Sequence, residues 1–420
     1  MHDWVGWLLL LFSFSIVLMW KSIRDDTKVV YAIWFCLVLR HAVVFLNVYI
    51  PDATTFHVNG ALLAALPVLP EPNNDYFNLP KWFADIFSLN GGVNYIHFLG
   101  FLYRALYPSL FFGEELSVLA FVLSCVVLVK LIDHLDLRRF RVGIVLFFSL
   151  LPSKVIFESV TLRESWQSLF FLLSIYCVIR LWKRPGILNV SFLLMSAFCM
   201  SLLHHGLARY AVYLVAIGIY WGIFGRKKNI RWARHLRFLF AGILIVCVII
   251  LTQKMGWFMP IYNAFKEAEG LRLAILSYED VRTIYSITLD TSSVLGVVIT
   301  APIVFAEYMF APFPWQVGSV KDIYILLESI LRFWLLFFAI SSWWRSSGEV
   351  RSCYSFLFIA VLGMEFVWAL GTVNWGTAVR HHVPGYGVIV LLGAPRLILI
   401  MRESAFGMFG SRKVNTMLPK

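Results

Sequence analysis

Arginines, histidines and carboxylates gather in five short clusters on an otherwise apolar chain, and their types suit anion binding and proton transfer. In Asn374-Trp-Gly-Thr-Ala-Val-Arg-His-His-Val-Pro384, three adjacent residues, Arg380, His381 and His382, can carry positive charge. Arginine offers phosphate a planar, bidentate fork, and a protonated histidine beside it adds charge. The stretch Leu203-His-His-Gly-Leu-Ala-Arg-Tyr210 repeats that chemistry with His204, His205 and Arg209. A third cluster, Leu151 to Glu164, holds Lys154, Glu158, Arg163 and Glu164 at an apolar boundary, where unpaired charge is costly. The fourth is Tyr49-Ile-Pro-Asp-Ala-Thr-Thr-Phe-His57, in which Asp52 could take a proton from a hydroxyl or hold a cation. Glu307, inside an apolar run that ends in Pro312-Phe-Pro-Trp315, is the fifth.

Each cluster also has a plainer reading. Pro51-Asp52 could simply open a helix, and Arg163 could pair with Glu158 to lock two helices. Arg380 to His382 could meet lipid headgroups. A His-His pair suggests zinc, but no Cys or carboxylate stands at ligand spacing, so no metal ligands are expected. Lys266, Glu267, Glu269, Arg272, Glu279, Asp280 and Arg282 read as the solvated face of an amphipathic helix.

What positions the clusters is a membrane. The chain is 60% hydrophobic and 14% charged, with apolar residues in long runs separated by short charged patches. That pattern predicts an all-α, polytopic transmembrane protein and excludes a β-barrel, whose short alternating segments are missing. About eleven spans are expected, near 4–20, 29–49, 115–132, 142–160, 165–182, 188–204, 207–224, 236–253, 322–343, 353–373 and 385–401. Two further runs, 95–112 and 294–312, could be spans, re-entrant segments or interfacial helices. The first run lacks a basic leader and a small-residue cleavage site, and is read as a retained helix. Cysteines 36, 125, 177, 199, 247 and 353 lie in or beside apolar runs and read as buried hydrophobes. With no linker or repeat, residues 1–420 are read as a single integral-membrane domain.

The net charge of +12 fits anionic headgroups and the positive-inside bias better than nucleic acid, which is not an expected partner. The basic patches at 21–28, 130–141, 180–184, 226–237, 345–351 and 396–420 hold well over half of the 36 Lys and Arg. Placing them in the cytoplasm puts the N-terminus outside and the C-terminus inside. The loops 50–114, 254–321 and 374–384, and all five clusters, then share the external face. There Gly376 and Thr377 are read as a tight turn, and Pro384 as the first turn of the re-entering segment.

A lipid-linked diphosphate sugar would use such a face: arginine for its phosphates, a base for its acceptor hydroxyl, and no ATP. Asp52-x-x-x-Phe-His, Leu-Pro-Ser-x-x-x-Phe-x-Ser-x-x-Leu-Arg-Glu (151–164), Pro-Phe-Pro-Trp (312–315) and Gly-Thr-Ala-x-Arg-His (376–381) resemble motifs of bacterial polysaccharide repeat-unit (O-antigen type) polymerases and related GT-C-like membrane glycosyltransferases. The resemblance implies a GT-C-like fold in the bacterial inner membrane and joining of undecaprenyl-diphosphate-linked sugars or repeat units. Other polysaccharide assembly proteins are implied partners. It marks Asp52, Arg163, Glu164, Arg209 and Arg380 as site residues. With the cluster chemistry added, the expected catalytic set is Asp52, Glu164 and His381. The expected substrate-binding set is Arg163, His204, His205, Arg209, Glu307, Arg380 and His382. Metal-dependent members carry an external Asp-x-Asp that is missing here, so no cofactor is expected and a divalent metal stays open. The alternative is a transporter or flippase of lipid-linked sugars or other anions, although no inverted repeat is apparent.

Overall fold

The computed structural model describes residues 3–66, 91–224, 261–276 and 283–409. These residues are helical, and the one extended pairing among them is an isolated bridge between Ile284 and Asn374. The first helices are α1 (Trp4–Ile16), α2 (Lys21–Arg24), α3 (Thr27–Phe45), α4 (Pro51–Ala65) and α5 (Gly91–Ala105). Next come α6 (Leu110–His134), α7 (Arg141–Ser149), α8 (Pro152–Phe157), α9 (Glu164–Lys183), α10 (Ile187–Leu203) and α11 (His205–Phe224). The last are α12 (Ile261–Leu276), α13 (Val294–Phe310), α14 (Val320–Arg345), α15 (Gly348–Gly371), α16 (Trp375–His381) and α17 (Tyr386–Phe409).

Five of these, α3, α6, α9, α14 and α15, are long and apolar enough to cross a bilayer. The pair α16 and α17 would make a sixth span, bent by 80° at its break. The runs at 4–20 and 188–204 form shorter apolar helices, α1 and α10, and 207–224 lies in α11. The 236–253 run and the basic patch at 226–237 lie outside the described residues, as do Glu279, Asp280 and Arg282. Helices α6 and α9 are apolar around most of their circumference, so they fill the middle of the bundle, packed on each other and on α1, α10 and α11. The first half of α17 is buried against α7 and α14.

The run 142–160, read as one span, is two helices. Pro152 has no N–H to offer the preceding turn, so the chain breaks between α7 and α8. That break leaves backbone groups that a bilayer cannot satisfy. Both terminal nitrogens of Arg40, on α3, donate to the Ser149 carbonyl at 3.2 Å, and the Ser153 N–H donates to the Glu328 carboxylate on α14. Two ionisable side chains from separate spans thus hold one discontinuity.

Arg272 is likewise not on a solvated face. It is buried and donates to the carbonyls of Ala369 (3.2 Å) and Thr372 (2.7 Å), and to that of Ile287. The last carbonyls of α15 have no partner within the helix, and a guanidinium supplies the donors. Lys266 on the same helix is exposed, as expected.

The charged connections sort to opposite ends. At one end Arg141 bonds Asp133 and the Ser22 carbonyl and pairs with Asp26, while Lys183 donates to the His134 carbonyl. Lys130 lies over Trp20 there, and Trp221 reaches Ser352. This gathers the basic patches 21–28, 130–141 and 180–184 beside the 345–351 connection. The start of α4, the α8–α9 junction, the α10–α11 turn and the end of α15 meet at the other end.

Candidate functional site

The second end is built from residues far apart in sequence. Asn374 caps α16, accepting from the Thr377 N–H at 2.7 Å, so Gly376 and Thr377 lie inside the first turn of a short helix instead of forming the tight turn. Pro384 falls in the following turn, two residues before α17. The seven residues of α16 point Arg380 back towards α4 and α9. Its Nε and Nη2 both donate to Glu164 Oε1, at 3.1 and 2.7 Å, and its Nη1 donates to Asp52 Oδ2. Phe157 of α8 lies against the guanidinium, 5.9 Å from ring centre to Cζ.

The two carboxylates differ in kind. Glu164 is the first residue of α9, where the helix dipole favours its charge, and its side chain is 3% exposed. Asp52 stands in the first turn of α4 behind Pro51, and its side chain is 57% exposed. Solvent screening holds a pair with so exposed a partner to about 0–1 kcal/mol, whereas the Glu164 contact sits in low dielectric with two donated bonds.

Arg163 adds a second cation. It precedes α9, donates through Nη1 to the Leu203 carbonyl at 3.3 Å, and lies 5.7 Å from the centre of the Phe56 ring. Burial lowers its pKa from the ordinary value; Glu164 pulls it up, and the neighbouring Arg380 pushes it down further. Bonding capacity is left over here. Arg163 Nε, Glu164 Oε2, Ser165 Oγ and Gln167 Nε2 are buried without a hydrogen-bond partner among the described residues. Native proteins satisfy nearly all such atoms, so their concentration on one helix start marks a place for a polar ligand or water.

His381 stacks on Trp368 of α15, with ring centroids 3.9 Å apart, and its Nδ1 is 2.8 Å from the Thr372 hydroxyl. His204 packs on the same tryptophan at 4.3 Å, and its Nδ1 accepts from the Gly206 N–H. The two imidazoles are 5.9 Å apart. The structure therefore brings together Asp52, Arg163, Glu164, His204, Arg380 and His381.

The other expected site residues lie elsewhere or are occupied. His382 is buried, with Nδ1 2.7 Å from Glu365 and Nε2 donating to the Tyr308 carbonyl at 3.2 Å. Tyr308 bonds the same Glu365 oxygen, so His382 pins the turn between α16 and α17. Glu307 accepts from the Ser286 N–H and hydroxyl, and from the Ile287 N–H, thereby clamping the segment before α13. Arg209 lies on an exposed face of α11, and Arg380 is held by α4 and α9 instead. His205 opens α11, but its side chain lies outside the described set.

Glu158 pairs with Arg40 and Lys154, not with Arg163, and all three side chains are fully buried. The Lys154 ammonium also reaches the Val383 carbonyl, tying α8 to the turn behind Arg380. Sequence reading missed Arg40, Glu328 and Glu365, although an ionisable residue inside an apolar run is itself the signal that would have found them. Nothing in the spacing announces Trp368 or Phe56, whose contacts come only from packing. No group of three or more His, Cys, Asp or Glu among the described residues could hold a metal ion.

No protein-family model matches the chain, and neither does any curated protein or solved structure.

Proposed function

We propose that this protein is an integral-membrane glycosyltransferase of the polysaccharide polymerase type. It joins undecaprenyl-diphosphate-linked sugars or repeat units at the external face of a bacterial inner membrane. The observation that carries the reading is Arg380, held by Glu164 at a sequence separation of 216 residues and by Asp52 at 328, with Arg163 alongside. Two guanidiniums around a buried carboxylate suit a diphosphate leaving group, whose developing charge they stabilise. Asp52, the exposed carboxylate, is the group able to take the acceptor hydroxyl proton. Glu164 orients Arg380, and the stacked His381 and His204 form the adjoining polar wall.

A lipid-linked substrate also needs room for its tail. An apolar cleft of about 550 Å³ runs between α13, α14 and α15, walled by Met309, Phe310, Phe333, Phe337 and Phe358 among others. Its lining extends along α14 and α15 as far as Trp343 and Ser355. Such an apolar cleft is of a kind that would accept hydrocarbon.

The test is purified protein supplied with a lipid-linked oligosaccharide. Longer glycan and released lipid diphosphate are expected. Movement of the oligosaccharide across vesicles with neither product would replace this reading with a transporter of lipid-linked sugars.

A further inference from the structure

Helices α4 and α5 pack mainly on each other, and α5 also meets α10 through Asn94, which donates to the Leu202 carbonyl at 2.9 Å. Helix α5 is anchored in the core by Tyr95, Leu99 and Tyr103, which are buried, with Tyr103 5.8 Å from Phe112 of α6. Over the site the hairpin makes fewer contacts. Phe56 covers Arg163, Phe98 meets Trp166 at 5.5 Å, and Asp52 bonds Arg380. Outer positions such as Leu62 and Val58 stay exposed, so the hairpin is held by one face.

Charge fixes what can loosen it. Asp52, Arg163, Glu164 and Arg380 sum to zero, so an arriving anion meets no net attraction while both carboxylates stay in place. Glu164 is buried at a helix start and accepts two of the three donated bonds. Asp52 accepts one and is the more exposed. A phosphate oxygen can reproduce that one bond and bring further negative charge to Arg163.

We infer that α4, resting on the anchored α5, forms a lid latched by Asp52 on Arg380, and that a phosphate group of the ligand opens it by taking Asp52's place. This rests on the diphosphate ligand proposed above. It gives Asp52 two states, latched when the site is empty and released as a free carboxylate once phosphate has docked. Proton acceptance is thereby tied to occupancy. It also makes the site selective for ligands anionic enough to compete with a carboxylate.

The experiment uses the full-length protein in lipid nanodiscs with inorganic pyrophosphate as the probe. Binding is measured by calorimetry, and amide hydrogen exchange is followed over 51–65 and 91–105. In the wild type, pyrophosphate is expected to speed exchange over 51–65, with 91–105 as the anchored reference. Asp52→Asn should show the faster exchange without pyrophosphate and bind it about fivefold more tightly, a gain of about 1 kcal/mol. Asp52→Glu, which keeps a carboxylate, should behave as the wild type. Unchanged exchange over 164–183 verifies that each variant is folded.

The latch is overturned if Asp52→Asn binds pyrophosphate no more tightly, or if pyrophosphate leaves lid exchange unaltered. Chain elongation by the wild type separates the two ideas. Elongation without a released lid removes the latch alone, whereas a released lid without elongation leaves the latch and removes glycosyl transfer.

Discussion

At the basic end of the bundle the Arg138 side chain is 71% exposed beside Asp133, whereas at the opposite end Arg380 is 16% exposed between Asp52 and Glu164. Arg138 finds Asp133 within the same connection, while Arg380 spans 216 and 328 residues to its partners. Local, hydrated pairs of the first kind are screened and interchangeable. The second kind forms only when several helices are already in place, and desolvation makes its geometry matter. One end thus serves to hold charge at an aqueous boundary, and the other aims it.

The comparison is broken most strongly in the middle of the bundle. Replacing Glu158 by Gln leaves Arg40 and Lys154 buried without their carboxylate, and should destabilise the protein by about 3–5 kcal/mol. Thermal unfolding in detergent would measure the loss. An unchanged midpoint would show that Arg40 is satisfied by the Ser149 carbonyl alone.

Next comes Arg380→Lys, which keeps the charge and loses the planar fork. Glycan elongation should fall about 100-fold, equivalent to about 2.7 kcal/mol, with little change in unfolding temperature. Near-normal product from Arg380→Ala would remove the residue from the site. At the basic end the exposed Arg138→Ala should change the unfolding temperature by nothing measurable, at low or high salt.

The smallest effect concerns acid. His57, on α4, is 3.0 Å from the Tyr103 hydroxyl on α5, and burial lowers its pKa from the ordinary value of 6.5. A base whose folded pKa is depressed supports the fold above its unfolded pKa and loses that support as pH falls through the folded value. Exchange in α4 and α5 should therefore rise below about pH 6.5, and His57→Gln should flatten the profile. An equal acid response in the variant would assign the effect to another group.

Much of the fold was legible because hydrophobic length and period are local properties. The runs that became α3, α6, α9, α14 and α15 could be read directly, since about twenty apolar residues span hydrocarbon whatever their neighbours. Pro152 gave notice of a break, but Arg40 and Glu328, which make that break tolerable, lie on other helices. Arg272 was misread for a similar reason: its place on a charged helical segment resembled a solvated face until the end of α15 supplied carbonyls.

At the site, residue type alone picked out Asp52, Arg163, Glu164 and Arg380, because charge beside an apolar run demands a partner. It could not separate them from His382 and Glu307, which bear the same chemistry and are consumed in holding a turn and a segment. By itself the sequence determined an apolar helical chain with its basic patches and reactive clusters set apart, since transfer between water and hydrocarbon acts residue by residue. Only the tertiary structure decided which cation meets which carboxylate. Those pairings span hundreds of residues and depend on the angles at which α4, α9 and α16 converge.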